Sequence, residues 1–143
     1  KLIDTKKVFL DSMARDKTIS QDKIDQLTLD VGNILNVLVG TFQDDDPVLS
    51  AQGLIVVYYL LIRKAIAQNQ IDLISRDKLV EFRDALLENR KNAEDEIENA
   101  IFDYLEFDRL NQQGTNDASS IRERTRIIAE FLGLSEPQVV ITL

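Results

Sequence analysis

The chain has 143 residues, 44% of them hydrophobic, which is enough for one domain with a real core. Its 17 basic and 25 acidic side chains leave a net charge of −8, so attraction to nucleic acid or anionic lipid has to come from a local patch. With no Cys and no His, thiolate nucleophiles, disulfides, Cys/His zinc sites and histidine general bases are excluded.

In chain order, Leu2 to Ala14 carries Leu2, Ile3, Val8, Phe9, Leu10 and Met13 among charges, which predicts a loosely amphipathic first helix. Thr18 with Gln21, or Ser20 with Asp22, starts a second. Its apolar residues Ile24, Leu27, Val31, Ile34, Leu35 and Leu38 recur at helical spacing, and Gly40 and Asp44-Asp-Asp-Pro47 end it. Asp46 before Pro47 suits an N-cap and a first helical position. The uninterrupted run Leu54–Ile62 is too short to cross a bilayer and predicts a central buried helix from Ser50 to about Gln68, closed by Asn69 and Gln70. A strand through Val56 and Val57 is the competing reading, and the length of the surrounding pattern decides for helix.

Ser75 with Asp77 caps a fourth helix carrying Leu79, Phe82, Leu86 and Leu87, and the polar stretch from Asn89 to Glu96 predicts a break near Asn92. Ile97, Ile101, Tyr104 and Leu105 mark a fifth helix, Gln112 to Asp117 is a turn centred on Gly114, and Ile121 to Leu132 is a sixth helix stopped by Gly133. Beyond Pro137, Val139 to Leu143 reads as an extended tail. The fold class expected is all-α: about six helices bundled around the central one, in a single domain over residues 1–143. Because the chain opens on Lys1 it is expected to be the C-terminal part of a longer protein, and a cytoplasmic location follows from the missing cysteines and the lack of a secretory apolar segment.

Candidate chemistry is sparse. Asp44-Asp-Asp46 and the group Glu94, Asp95 and Glu98 read as a helix cap and a solvated helix face rather than metal sites, and no cofactor is expected. Tyr58 and Tyr59 read as core residues whose hydroxyls find partners rather than as a pocket lining. Two charges fall on apolar faces: Asp108 in line with Ile97, Ile101 and Tyr104, and Arg124 between Ile128 and Phe131. Both are therefore expected to be partly buried, and a buried charge is costly unless paired, which predicts an Asp108–Arg124 ion pair. The turn Gln113, Gly114, Thr115, Asn116 and Asp117 has the parts of a small recognition site: Gly114 permits positive φ, and Asp117 or Ser119 can cap the next helix. Arg122 and Arg126, four apart near that helix start, are the one local basic patch that nucleic acid or another anion would meet. Glu123 and Glu130 close by leave plain surface charge as the alternative.

The segment Phe107–Ile128, with Gln113, Gly114, Thr115 and Asn116 followed by Ser120, Ile121 and Arg124, resembles the C-terminal helical part of GmrSD-type proteins, ParB/sulfiredoxin-like nuclease-related proteins of bacterial defence. The Val57-Tyr-Tyr-Leu60 of the central helix is similar too, and the resemblance covers roughly the last two thirds of the chain. The Asp-Gly-Gln-Gln/Arg-Arg motif of that family's nucleotide-dependent nuclease domain does not occur here. The resemblance thus implies a non-catalytic accessory portion, supporting phage defence and restriction through an upstream nucleotide-binding or nuclease domain, its target or a partner subunit, with no membrane contact. The alternative is a stand-alone acidic helical interaction module of adaptor or immunity type.

Overall fold

The computed structural model describes residues 2–134, and the tail expected at Val139 to Leu143 lies outside them. Among the described residues the regular structure is helical: α1 (Lys7–Ala14), α2 (Gln21–Thr41), α3 (Gln52–Ala67), α4 (Arg76–Asp95), α5 (Phe102–Gln112) and α6 (Ala118–Phe131). Single 3₁₀ turns at Pro47–Leu49, Ile71–Leu73 and Ile97–Asn99 join them. None of the described helices is long and apolar enough to cross a membrane.

Three of the caps act where the sequence places them. Ser20 and Ser75 accept from the backbone N–H groups of Lys23 and Lys78, and Asp46 accepts from Val48 with Pro47 at the first position of its turn. Gly133, at φ 72°, turns the chain after α6 so that Leu134 N–H donates to the Ala129 carbonyl.

The central helix is α3, which packs against both α2 and α6, while α4 packs on α5 and α5 on α6. Val56 and Val57 are helical, so the strand reading falls. Burial is confined to one broad face: Val57, Tyr58, Leu61, Ile62 and Ala65 are buried, whereas Ile55 and Ile66 meet solvent. Tyr58 packs on Phe42 with ring centroids 5.2 Å apart, and its hydroxyl donates to the Val48 carbonyl at 3.5 Å. Burial pushes its phenol pKa up to about 12. On the other flank of the core, the Phe82 ring meets Tyr104, Phe107 and Phe131 at centroid distances of 5.8, 5.0 and 5.1 Å.

Three boundaries differ from the sequence reading. The first helix starts at Lys7 rather than Leu2, because residues 4 and 5 are tied to the start of α6. Helix α4 runs through Asn92 to Asp95, and the chain breaks at Glu96, whose φ of −148° is extended. The reason is Asn89, buried on that helix. Its amide nitrogen donates to the Ile101 carbonyl at 3.1 Å, and its amide oxygen accepts from Ile101 N–H at 2.6 Å, which fixes where α5 begins. Ile97 consequently sits in a 3₁₀ turn, exposed, and is no part of the α5 apolar face.

The junction before α3 rests on one carboxylate. Asp46, with a buried side chain, accepts from Gln43 N–H at 3.1 Å, Val48 N–H at 3.0 Å and Arg76 Nε at 2.7 Å. These bonds, the Arg76 contact first, hold its carboxyl pKa at about 2. An aspartate in the unfolded chain titrates near ~3.9. The stability it contributes is therefore complete above that value and is lost as the pH falls through the folded one. The urea midpoints of wild type and Asp46→Asn should differ most at neutral pH and converge as the pH falls towards 2. A gap that stays constant across that range would refute the assignment.

Candidate functional site

The predicted site residues divide into three groups. The turn folds as expected in its backbone: Gly114 has φ 68°, and a Cβ there would lie 2.8 Å from an Asp117 carboxylate oxygen, so glycine is required. Its polar groups, however, grip the protein's own N-terminal segment. Thr5 N–H donates to the Asn116 carbonyl at 2.9 Å, the Thr5 hydroxyl donates to Asn116 Oδ1 at 3.2 Å, and Lys6 pairs with Asp117 at 2.5 Å. Asp117 stands at the N-cap of α6 without a side-chain capping bond. The Asp4 carboxylate takes that role from 114 residues away, accepting from Ala118 N–H at 2.9 Å. Gln113 stays exposed.

Asp108 and Arg124 are both buried, as helix phase predicts, but they do not pair with each other. Arg90, one helix over on α4, takes Asp108 in a two-pronged bond with both contacts at 2.5 Å. Arg124 is instead wholly buried among neutral acceptors. It donates to Thr115 O at 2.6 Å, Asn111 Oδ1 at 3.0 Å, Gly53 O at 3.3 Å and Ser120 O at 3.4 Å. Desolvation lowers its pKa. Because α4 already supplies a cation at Asp108, the α6 guanidinium is free to tie the Gly114 turn to the first turn of α3. Gly53 allows that approach, since a Cβ there would come within 3.3 Å of Thr115 Cβ.

Arg122 and Arg126 do share one surface, a groove of about 720 Å³ between α3 and α6 that also takes in Leu60, Arg63, Lys64 and Glu123. They are not equivalent cations. Arg126 is held by Asp103, Glu123 and Glu130 at 2.7 to 2.8 Å, and these carboxylates raise its pKa. No carboxylate among the described residues lies within ion-pair distance of Arg122 or of Arg63, which sequence reading did not single out. Arg126 is thus already satisfied, and the cations left on this groove without a carboxylate among the described residues are Arg122 and Arg63.

The least expected surface is elsewhere. No residue of α1 is buried, and along α2 burial is reached only at Ile34 and Leu38, where α3 covers them. Phe9, Leu10 and Met13 on α1, and Ile24, Leu27, Val31 and Leu35 on α2, are between 38% and 55% exposed. Isolated exposed apolar side chains are ordinary, but apolar residues left exposed at helical spacing along α2, with three more on α1, mark a contact face. Compared with known proteins, the chain matches no family model, no curated protein and no solved structure.

Proposed function

We propose that the chain is a non-catalytic helical accessory domain that acts by docking to protein, in the cytoplasm, as the likeness of its C-terminal segment to GmrSD-type proteins implies. In that setting it serves nucleic-acid defence by holding a nuclease-related protein to its target, its nucleotide-binding domain or a partner subunit. The observation that carries the reading is the bare apolar face of α1 and α2. The composition agrees with it, since a chain without His or Cys lacks the usual nucleophiles and bases. A stand-alone adaptor would use the same face. A reading frame that continues upstream into a strand-rich nuclease domain separates the two, and a start codon at this position would defeat the first.

Docking requires that this face be accessible in the free protein. At nanomolar concentration the wild type is expected to bind an apolar dye such as bis-ANS, and Leu27→Ser with Val31→Ser to lose most of that fluorescence while keeping its helicity and thermal midpoint. Equally weak fluorescence in both proteins would mean the face is covered, and the reading would fail.

A further inference from the structure

We infer that the α1–α2 arm takes a second copy of this chain, with α1 of each copy lying on α2 of the other around a two-fold axis. The inference rests on the docking reading above and names the occupant.

The first support is the pattern. Ile24, Leu27, Val31, Ile34 and Leu38 follow the alternating three–four spacing of a seam between paired helices, with β-branched Ile24 and Val31 at one position of the repeat and Leu27 at the other. The last two of these residues are covered by α3, and the first three are bare. The exposed stripe is therefore the continuation of a helix–helix contact the protein already makes.

Charge identifies what would extend it. Residues 7–41 carry four basic and five acidic side chains, a net of −1 in a chain of −8, so two copies meet along the arm with little of the repulsion their acidic bodies would cause. Within the arm the balance differs between the two helices. Lys7, Arg15 and Lys17 with Asp11 and Asp16 leave α1 and the residues just after it at +1, whereas Asp22, Asp25 and Asp30 with Lys23 leave α2 at −2. None of these nine has an ion-pair partner among the described residues, while the body pairs Arg76, Arg90, Arg109 and Arg126 with carboxylates. A two-fold exchange puts the basic segment of each copy beside the acidic helix of the other, satisfying both sets at once.

The area is sufficient. From their fractional exposures, the seven bare residues on the two faces offer on the order of 600 Å² per copy, close to the ~800 Å² per partner of a standard interface once flanking polar atoms are added.

Sedimentation equilibrium of the full chain tests this. The mass is expected to rise from 16.3 kDa at nanomolar concentration to twice that at hundred-micromolar concentration. Leu27→Glu with Val31→Glu should stay monomeric throughout, with circular dichroism confirming the fold. Lys7→Glu with Arg15→Glu, and separately Asp25→Lys with Asp30→Lys, should each weaken self-association at least tenfold, and an equimolar mixture of the two should recover a mixed dimer. Weakening of each variant alone is what marks α1 lying on the partner's α2, because an acidic arm and a basic arm attract on mixing in any register, and unweakened self-association in either variant would overturn that arrangement. A wild type that remains monomeric but binds the apolar dye would overturn the second-copy inference and leave the docking reading standing. A monomer that binds no dye would overturn both, because α1 would then have closed over its own α2.

Discussion

Arg124→Met is expected to lower the unfolding free energy by about 3 kcal/mol, read from urea titrations followed by circular dichroism. Two effects oppose each other here. Methionine removes a guanidinium that is fully out of water with no carboxylate beside it, and sparing that desolvation is favourable. It also leaves Thr115 O and the Asn111 amide oxygen without that donor, while Gly53 O and Ser120 O keep their N–H donors within α3 and α6. Each buried acceptor left without a donor costs ~1–3 kcal/mol, and methionine has nothing to offer any of them, so the loss of the acceptors outweighs the relief. Arg124→Lys should fall between, since one ammonium group keeps the charge but cannot span four acceptors in different directions. The turn should loosen as well, and with it the grip of Asn116 on Thr5, which faster amide exchange at Thr5 would report. A change below ~1 kcal/mol in Arg124→Met would show that the network does not hold the corner together.

Helix number, order and the central place of α3 were legible in the sequence because apolar spacing and serine caps are local signals. Helix phase also identified Asp108 and Arg124 as inward-facing charges. Their partners could not be read the same way, because a guanidinium reaches whichever neighbour the packing brings within ~3 Å. One signal was present and unused: Arg90 continues the Phe82 and Leu86 stripe at four-residue intervals, which places it over the same interface as Asp108. It also falls in the polar stretch from Asn89 to Glu96, whose composition predicts a break rather than a packed face. The capping of α6 by Asp4 joins residues 114 apart in sequence, and no local pattern carries that information. Similarly, the adjacency of Arg122 and Arg126 follows from their spacing, but the arrival of Asp103 from α5 does not. The bare face of α2 was hidden for another reason. Its apolar pattern is the same along the whole helix, and only the position where α3 stops divides its buried part from its exposed part.

Phe82→Ala should produce the largest loss, about 3–5 kcal/mol, because its ring is buried where α4, α5 and α6 meet and three further rings lean on it. Part of the loss is the transfer of the ring from water into the core, and part is the cavity its neighbours cannot fill. Tyr104 and Phe107 sit on one helix and Phe131 on another, so their closing on the gap would require α5 and α6 to shift together. Phe82→Leu, which retains most of the volume, should cost clearly less. Phe102→Ala is the matched control: the same chemical deletion at a residue 76% exposed should stay within ~0.5 kcal/mol of wild type. Urea midpoints for the three variants separate packing from simple loss of apolar area, and equal losses in Phe82→Ala and Phe102→Ala would contradict the placement of the core. Because the arm touches the body through α3 rather than through this aromatic junction, Phe82→Ala should reduce stability without changing the dimer affinity measured under conditions where the variant is still folded.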